Sequence, residues 1–380
     1  MSLRSRHCLL ALLLLLAVLY IVHLQAPGQF DAEWDGAKEY LSSVSHRTAP
    51  LANATLLVLA REGDLDGVLA SMRGLENRFN RNYHYPWVFL SEVEFSEAFK
   101  ANVSEAASSP VEFGLIPPEH WYMPDWIDAE KADREMAQLA TVPNIPYAKS
   151  IPYRNMCRFN AGFFYRHPLL LKYKYYWRVE PNVLFRCNID FDPLQFMVSH
   201  NKTYGFVIGI KEIKETVTTL WQTTKEFMEK YPQYIPEKST ISWVANTRTG
   251  NYNLCHYWSN FEIADMDFWR GEAYSAYFDY LDQAGGFYYE RWGDAPVHSI
   301  GASILLPPTA FHFFDRIGYT HQPFTHCPRL HEDRQVGLCD CGERDSVDTT
   351  IFSCTGRWLK IMNRLTPGGG WRDVDDFSYP

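Results

Sequence analysis

Three carboxylates, one imidazole and one phenol stand in contexts where their chemistry could be used. The carboxylates are Glu180, Glu262 and Asp294, the imidazole is His321 and the phenol is Tyr153. Carboxylate oxygens bind hard divalent cations, and an imidazole among the ligands favours Mn²⁺ over Mg²⁺. A carboxylate can also stabilise an oxocarbenium-like centre, and an acid–base group can take a proton from a hydroxyl. These residue types suit the displacement of a diphosphate from a sugar.

Glu180 stands where a strand is predicted to end. Residues 173–179 (Tyr-Lys-Tyr-Tyr-Trp-Arg-Val) alternate with the period of a β-strand. The alternation predicts two faces, with Tyr173, Tyr175, Trp177 and Val179 on one and Lys174, Tyr176, Arg178 and Glu180 on the other. Pro181 ends the strand, because proline cannot donate to a sheet ladder. Open α/β sheets bind ligands at such ends, but a strand-terminal Glu can also be an ordinary surface residue.

Each of the other candidates has a structural explanation as well. Asp294 can cap the helix that its context predicts, with Pro296 in the first turn. Glu262 can pair with an arginine in a structural network, and Tyr153 can be a packed ring with a bonded hydroxyl. His321 can be an ordinary loop histidine. Spacing alone leaves both interpretations open at each position.

The first globular segment predicts a strand, a helix and a second strand at residues 54–60, 64–80 and 85–90. Such a unit implies a parallel sheet with a right-handed crossover. Arg61 lies in its first strand-to-helix turn, where it can meet a diphosphate or remain a solvated loop residue. No Gly-x-Gly-x-x-Gly motif or Walker loop is present, so a standard dinucleotide or P-loop site is not indicated.

Later segments extend the α/β pattern. Residues 204–210 predict another strand, and residues 214–231 an amphipathic helix that Pro232 stops. An aromatic-rich helix is predicted at residues 268–282, ended by Gly285 and Gly286.

The N-terminus predicts a membrane anchor. Residues 8–22 are an unbroken apolar run preceded by Arg4 and Arg6, which favours a cytosolic N-terminus. We therefore predict a cytosolic tail (residues 1–7), a signal-anchor helix (8–26), a stem (27–50) and a lumenal catalytic domain (51–380). A cleaved signal peptide ending near Ala26 is the alternative. Sequons at Asn53, Asn102 and Asn201 agree with a lumenal location in either case.

Seven cysteines follow the predicted anchor. In an oxidising lumen they predict disulfides with one thiol left over, and the pairing cannot be read from the sequence. A zinc site is the alternative for one group of them, because thiolates and imidazole bind Zn²⁺. That group consists of Cys327, His331, Cys339 and Cys341.

Composition excludes one class of partner. The net charge of the 380-residue chain is −9, which argues against binding to nucleic acid. Aromatic residues make up 16% of the chain, with 12 Trp and 23 Tyr. Most of these rings belong in cores and interfaces, but some can stack on sugar rings.

Three motifs resemble a known family. They are Tyr-Trp-Arg-Val-Glu-Pro (residues 176–181), Tyr-Trp-Ser-Asn-Phe-Glu-Ile-Ala-Asp (257–265) and a long block that contains Glu-Arg-Trp-Gly-Asp-Ala-Pro-Val-His (290–298). They resemble the fungal Golgi α-1,2-mannosyltransferases of the Kre/Ktr type, glycosyltransferase family fifteen. The resemblance implies a GT-A-like Rossmann-type α/β fold with a mixed central sheet, preceded by one transmembrane helix. It also implies a single-pass type II protein of the Golgi membrane, a GDP-mannose donor and Mn²⁺. The acceptor would be an α-mannoside on protein-linked glycans, joined through an α-1,2 linkage with retention.

The resemblance also implies roles for the candidate residues. Glu180 matches the acidic metal and diphosphate motif, His321 a histidine metal ligand, and Glu262 the proposed nucleophile. Tyr153 and Asp294 match active-site residues that contact substrate. One departure is Asn182, where the family motif can carry Asp. An amide oxygen can still bind a hard cation, but one negative charge is lost.

Three alternative functions remain open on this scaffold. A catalytically silent mannan-binding protein would explain Asn182 and the many aromatics. Mannosylphosphate transfer is the second alternative. A glycosidase with paired carboxylates is the third, although it would need no site for a diphosphate.

Overall fold

The computed structural model describes residues 50–365, whose strands form one large sheet and two small ones. The strands of the large sheet are β1 (Ala54–Leu59), β2 (Trp87–Ser91), β3 (Val111–Leu115), β4 (Tyr175–Arg178), β6 (Tyr204–Phe206), β9 (Glu262–Asp265) and β10 (Phe311–Phe313). The remaining strands are β5 (Leu184–Phe185), β7 (Gly209–Lys211), β8 (Cys255–Tyr257), β11 (Tyr319–His321) and β12 (Phe324–His326).

The large sheet has the order β10-β6-β9-β4-β1-β2-β3. All its neighbouring strands are parallel except β9, which runs antiparallel to both β4 and β6. The first residue of β9 therefore lies at the edge where the parallel strands have their last residues. In this mixed sheet of the predicted Rossmann type, the last residues of the parallel strands and the first residue of β9 therefore lie together at the edge where such sheets bind ligands.

Helices cover both faces of the sheet. Those before β6 are α1 (Leu65–Leu75), α2 (Arg81–Tyr83), α3 (Glu97–Ala106), α4 (Pro118–Trp121), α5 (Ala129–Leu139), α6 (Ile151–Gly162) and α7 (Pro193–Ser199). The later ones are α8 (Leu220–Lys230), α9 (Ile241–Val244), α10 (Met266–Arg270), α11 (Glu272–Ala284), α12 (Gly286–Tyr289), α13 (Asp294–Leu305), α14 (His331–Val336) and α15 (Thr355–Leu365).

The predicted alternation of β4 is present within the strand. Tyr175, Trp177 and Val179 pack into one hydrophobic cluster, and Tyr176 packs into the cluster on the opposite face. Tyr173 does not follow the prediction, because it precedes the strand and packs against the same cluster as Tyr176. The alternation therefore holds only over the residues that pair in the ladder.

Three predicted elements are each divided in the structure. The strand predicted at residues 204–210 is β6 and β7, because the chain leaves the large sheet after Phe206 and β7 pairs with β8 instead. The helix predicted at residues 268–282 is α10 and α11, separated by Gly271 in an extended conformation. The helix predicted at residues 214–231 begins with a 3₁₀ turn, and α8 starts only at Leu220, after a run rich in β-branched residues.

Three disulfides cross-link the described part of the chain. They link Cys187 to Cys339, Cys255 to Cys354 and Cys327 to Cys341, and Cys157 is a buried free thiol. The prediction of disulfides with one thiol left over is confirmed. The zinc alternative is wrong, because three of its four ligands are cysteines bonded in two of these disulfides.

The predicted tail, anchor and stem up to residue 49 lie outside the described residues, as does the end of the chain from residue 366. Between residues 50 and 365, no helix is both long enough and apolar enough to cross a bilayer.

Candidate active site

Four of the predicted site residues meet at one edge of the large sheet. β4 ends at Arg178, and Glu180 follows two residues later. β9 begins at Glu262, and the antiparallel register places Glu262 directly opposite Arg178. Asp294 opens α13, and His321 is the last residue of β11. Elements far apart in the chain thus contribute one charged group each.

Arg178 holds two of these carboxylates together. Its guanidinium donates through Nη1 to Asp294 Oδ2 at 2.5 Å and through Nη2 to Glu180. Ser259 Oγ also donates to Asp294 Oδ2, at 2.7 Å. Asp294 lies at the first position of α13 and uses its carboxylate for these bonds, so it does not cap the helix as the sequence allowed; the cap position belongs to Gly293.

Sequence reasoning gave Arg178 no role in the site. The signal was nevertheless present, because the alternation of β4 predicts Arg178 and Glu180 on the same face. Burial of a guanidinium between two carboxylates needs those partners, since an unpaired buried charge is costly. Arg178 is therefore the organising residue of this edge.

Glu180 and His321 face each other at the rim of the site. Glu180 Oε2 lies 3.4 Å from His321 Nε2, and both side chains stay partly exposed, at 25% and 30%. Burial raises the pKa of Glu180, but the charge of Arg178 and the contact with His321 outweigh it and lower that pKa to about 2. Burial lowers the pKa of His321, and the bond to Glu180 outweighs this and raises it.

This pair fits a divalent cation that is bound jointly with a substrate. Among the described residues no group of three or more His, Cys, Asp or Glu side chains is arranged to hold a metal ion. Mg²⁺-type sites commonly use one or two protein ligands and complete their coordination with substrate phosphates. An ionised carboxylate beside an imidazole, both open to solvent, supplies such a partial ligand set.

Glu262 is fully buried and does not pair with an arginine. Its carboxylate accepts hydrogen bonds from the hydroxyls of Tyr176 and of Tyr204, the latter at 2.6 Å, and His298 Nδ1 lies 3.0 Å from Oε2. Burial, reinforced by the charge of Glu262, raises the pKa of both tyrosines, so that they stay protonated and donate. Three donors fix the position of this carboxylate.

Sequence reasoning assigned none of these three donors to the site, although the alternation of β4 placed Tyr176 on the same face as Arg178 and Glu180. His298 lies four residues after Asp294 on α13, a spacing that puts both side chains on neighbouring turns of one helix face. The ring of His298 stacks on Trp269, with centroids 4.2 Å apart. Tyr204 carried no such signal, because its approach to Glu262 depends on the pairing of β6 with β9.

Glu262, Glu180 and Arg178 line a pocket of about 350 Å³, a volume that includes space open to solvent. The other lining residues are mostly apolar and come from β1, β2, β4 and the segment around α6: Leu57, Leu59, Leu90, Phe159, Asn160, Phe164 and Tyr176. Charged groups therefore occupy one wall of an otherwise largely apolar pocket, which is the usual character of a small-molecule site.

Tyr153 lies in the first turn of α6, beside this cluster. Its backbone N–H is capped by Ser150 Oγ, and its ring contacts the guanidinium of Arg291. Burial raises its pKa well above the usual range. Burial raises the pKa of the Cys157 thiol, and the side chain of Tyr153 and the backbone of Asp294 both lie close enough to that thiol to oppose the rise. The structure thus connects Tyr153 to Asp294 through one buried side chain.

Arg61 does not contact the charged cluster. It lies in the turn after β1, with its side chain about half exposed, and its Nε donates to Glu92 Oε1 at 2.7 Å. Its position at the carboxyl edge agrees with the sequence expectation, but its partner in this structure is a carboxylate that follows β2.

Asn182 turns away from the Glu180–His321 pair. Its backbone has a φ of +63°, and its N–H donates to Gly67 O at 3.0 Å. Its side-chain amide lies directly over Gly67, so closely that a Cβ on that glycine would stand 2.5 Å from Asn182 Nδ2. Position 182 therefore contacts α1, and we expect the loss of charge there to matter little for a cation at Glu180.

The chain is similar to a family of known enzymes. The family model described as "Glycolipid 2-alpha-mannosyltransferase" matches residues 28–363. The alpha-1,2 mannosyltransferase KTR1 of Saccharomyces cerevisiae is 47% identical, in an alignment that covers 86% of this chain and 82% of that protein. The O-glycoside alpha-1,2-mannosyltransferase omh1 of Schizosaccharomyces pombe is 48% identical, covering 83% and 80%.

Two solved structures also match over most of the chain. The mannosyltransferase Ktr4p from S. cerevisiae in complex with GDP has a TM-score of 0.78 and 41% identity, covering 82% of each chain. The core-mannan synthase A of Aspergillus fumigatus in its Mn/GDP form has a TM-score of 0.77 and 39% identity, covering 83% of this chain and 86% of that one. The fold is therefore the GT-A-like arrangement that the motifs predicted.

Proposed function

The chain belongs to the glycolipid 2-alpha-mannosyltransferase family, and from that membership we propose that it transfers mannose from GDP-mannose to an α-mannoside. The acceptor mannose belongs to a protein-linked glycan, the new linkage is α-1,2, and the configuration is retained. The names of the relatives support the reaction, and the GDP in a similar structure supports the donor. The observation that carries the proposal is the meeting of Glu180, Glu262, Asp294 and His321 beside one pocket.

Glu180 and His321 would hold Mn²⁺ in this proposal. Their facing geometry and partial exposure support the assignment, and so does the Mn/GDP form of a similar protein. When bound, the cation would neutralise charge on the diphosphate of the donor. Because Glu180 is ionised over the whole physiological range, the site is ready for a cation without first losing a proton from that carboxylate.

Arg178 and Asp294 would organise the acceptor side. Arg178 fixes Asp294, and Ser259 shares the same oxygen, so this carboxylate has little freedom to move. Asp294 is then positioned to accept a hydrogen bond from an acceptor hydroxyl, with Tyr153 nearby as a second polar contact. Fixed polar groups of this kind orient a substrate at little entropic cost during the reaction.

Glu262 would be the catalytic carboxylate. In a double displacement it attacks the anomeric carbon; in a front-face route it stabilises positive charge there while the diphosphate takes the acceptor proton. Donors on both carboxylate oxygens hold the group in place, and this favours the electrostatic role. Mass spectrometry of a rapidly quenched reaction separates the routes, because only double displacement leaves mannose on Glu262.

Arg61 is a candidate for binding the nucleotide. It would have to exchange Glu92 for a phosphate, an exchange that its exposure permits. Residues 8–26 would anchor the protein in the Golgi membrane as a single-pass type II protein, with residues 51–380 in the lumen. Protease protection of the lumenal part in sealed Golgi vesicles tests that topology.

Incubation of the purified protein with GDP-mannose, Mn²⁺ and methyl α-mannoside tests the reaction. We expect a disaccharide whose linkage nuclear magnetic resonance identifies as α-1,2. The nucleotide product distinguishes the alternatives, because mannosyl transfer releases GDP and mannosylphosphate transfer releases GMP. Glycan binding without GDP binding in calorimetry would support a silent binding protein. Free mannose released from the α-mannoside without nucleotide would support a glycosidase.

A further inference from the structure

One exposed aromatic ring beside the site has no role in the reaction described so far. Tyr147 is 61% exposed, and its ring stacks on that of Tyr153 with centroids 4.5 Å apart and planes 8° apart. Since one ring face rests on Tyr153, the exposed area is the other face and the rim. The stack continues the candidate active site outward, because Tyr153 also contacts Arg291 and is linked through Cys157 to Asp294.

The loop that carries Tyr147 is held firmly. The fully buried guanidinium of Arg154 donates to the carbonyl oxygens of Tyr147 and Ser150, both at 3.3 Å, and to that of Glu290 at 2.9 Å. The Ser150 N–H donates to Tyr147 O as well, at 3.0 Å. Arg154 thereby joins the Tyr147 loop to the segment that leads into Asp294, and this connection fixes the distance between the loop and that segment.

Tyr147 also has a backbone conformation that its side chain does not favour. Its φ is +58°, in the left-handed region that bulky residues rarely adopt. Such outliers persist only where surrounding contacts impose them, and they concentrate at ligand-binding positions. Here the surrounding contacts impose a ring that covers one face on Tyr153 and leaves the other face in solvent, so its burial is incomplete.

We propose that Tyr147 stacks on the second sugar of the acceptor, the one next to the mannose that receives the transfer. This inference rests on the proposed function, which places an α-mannoside chain at Asp294 and Tyr153. A mannose ring has an apolar C–H face surrounded by hydroxyls, and an exposed tyrosine can cover that face while its own hydroxyl stays in water. A rigid ring loses little conformational entropy on binding. The enzyme therefore prefers acceptors of two or more sugars to a single mannoside.

The nucleotide base is the competing occupant, since bases also stack on aromatic rings. The position of the ring argues for the acceptor. Tyr147 continues from Tyr153 and Arg291, whereas the metal pair of Glu180 and His321 lies on the other side of Arg178 from Asp294 in the bonded network. The diphosphate belongs to that metal pair, and so the base would be expected there.

Kinetics with two acceptors test the proposal. We expect Tyr147→Ala to raise KM about tenfold for α-1,2-mannobiose, the loss of one aromatic contact, and to leave KM for methyl α-mannoside and for GDP-mannose unchanged. Tyr147→Phe should behave like the unmodified protein, because the ring remains. Tyr122→Ala is the matched control, since Tyr122 is 54% exposed and lies outside the stack.

The same variants are compared in a binding experiment, which decides the matter even without turnover. Calorimetry in the presence of GDP and Mn²⁺ should show weaker binding of α-1,2-mannobiose to Tyr147→Ala than to Tyr122→Ala. The proposal would be overturned if Tyr147→Ala raised KM equally for both acceptors, or if it changed KM for GDP-mannose instead. Equal affinity of Tyr147→Ala and Tyr122→Ala for α-1,2-mannobiose would overturn it as well. Absence of transfer by the unmodified protein, with mannobiose binding that still depends on Tyr147, would overturn the proposed function and leave the sugar contact standing.

Discussion

Two charged clusters of this protein use the same residue types in opposite ways. At the edge of the large sheet, Glu180 faces His321 with both side chains partly exposed. Near β12, His326 lies between Asp348 and Asp315, and all three are buried, with His326 fully enclosed. From composition alone, either cluster could be a metal or acid–base site. The difference lies in how completely the protein satisfies each group.

The His326 cluster is closed by its own bonds. Nδ1 of His326 contacts Asp348 Oδ2 at 2.6 Å, and Nε2 contacts the carbonyl oxygen of Asp315 at 2.9 Å. Thr355 Oγ1 donates to the other oxygen of Asp348, at 2.6 Å. This cluster joins β12 to the start of α15 and leaves no group directed at a ligand. The comparison shows that side chains of the same types can serve as a binding site only where the fold leaves some of their donor and acceptor atoms free to contact a ligand.

The largest effect is expected at Glu262. Replacement by Gln keeps the shape but removes the charge, and we expect kcat to fall by about 10²- to 10³-fold, as for other preorganised charged contacts. Initial rates with GDP-mannose and methyl α-mannoside measure this. Because the new amide nitrogen faces a hydrogen-bond donor, some loss of stability is expected, and circular dichroism at the assay temperature should show that the variant is still folded. An undiminished rate would remove Glu262 from the mechanism.

His321→Ala should weaken Mn²⁺ without unfolding the protein. We expect the Mn²⁺ concentration at half-maximal rate to rise by about tenfold or more, because one of two protein ligands is lost. The matched variant is His326→Gln, for which the Mn²⁺ dependence should stay unchanged. A similar Mn²⁺ shift in both variants would contradict the comparison between the two clusters.

For the free energy of unfolding, we expect His326→Gln to have a large effect and His321→Ala a small one. His326→Gln breaks a buried charge pair, and we expect the free energy of unfolding to fall by about 3 kcal/mol. Urea titration measures this loss, and His321→Ala should lose much less.

The stability from this pair should depend on pH. Burial lowers the pKa of His326, but Asp348 outweighs it and raises that pKa, so this contribution is full below the unfolded value of about 6.5 and is lost as pH rises through the folded value. Burial raises the pKa of Asp348, but the charge of His326 outweighs it and lowers that pKa. The stability that Asp348 contributes is therefore present above its unfolded pKa of about 3.9 and is lost as pH falls through its folded pKa. The difference between unmodified protein and His326→Gln should therefore be largest between about pH 4 and 6.5. A difference that is constant from pH 5 to 9 would contradict the assignment.

The smallest effect is expected at Asn182. Its side chain lies over Gly67 rather than beside Glu180, so Asn182→Asp should change the Mn²⁺ dependence by less than about threefold, well under the tenfold that corresponds to 1.4 kcal/mol. Asn182→Ala is the comparison variant, because it removes the amide that contacts α1. A large gain in Mn²⁺ affinity for Asn182→Asp would show that position 182 reaches the cation.

Local pattern predicted the elements that are built from neighbouring residues. The alternation of residues 173–179 predicted β4, which begins two residues later than expected, and the placement of Glu180 just after it. The strand–helix–strand start predicted β1, α1 and β2 within a few residues. Apolar runs were less informative, and residues 204–210 gave one predicted strand where two strands belong to different sheets.

The chain by itself therefore determined which residue types could act, where the first strands lie and that most of the cysteines after Cys8 pair. Only the tertiary structure decided that Glu262 faces Arg178, that Tyr204 and His298 hold Glu262, and which cysteines are bonded. The physical reason is that register between strands distant in sequence is set by packing across the whole sheet, whereas alternation and turn residues report only on near neighbours. The same packing leaves the Glu180–His321 pair open and closes the His326 cluster.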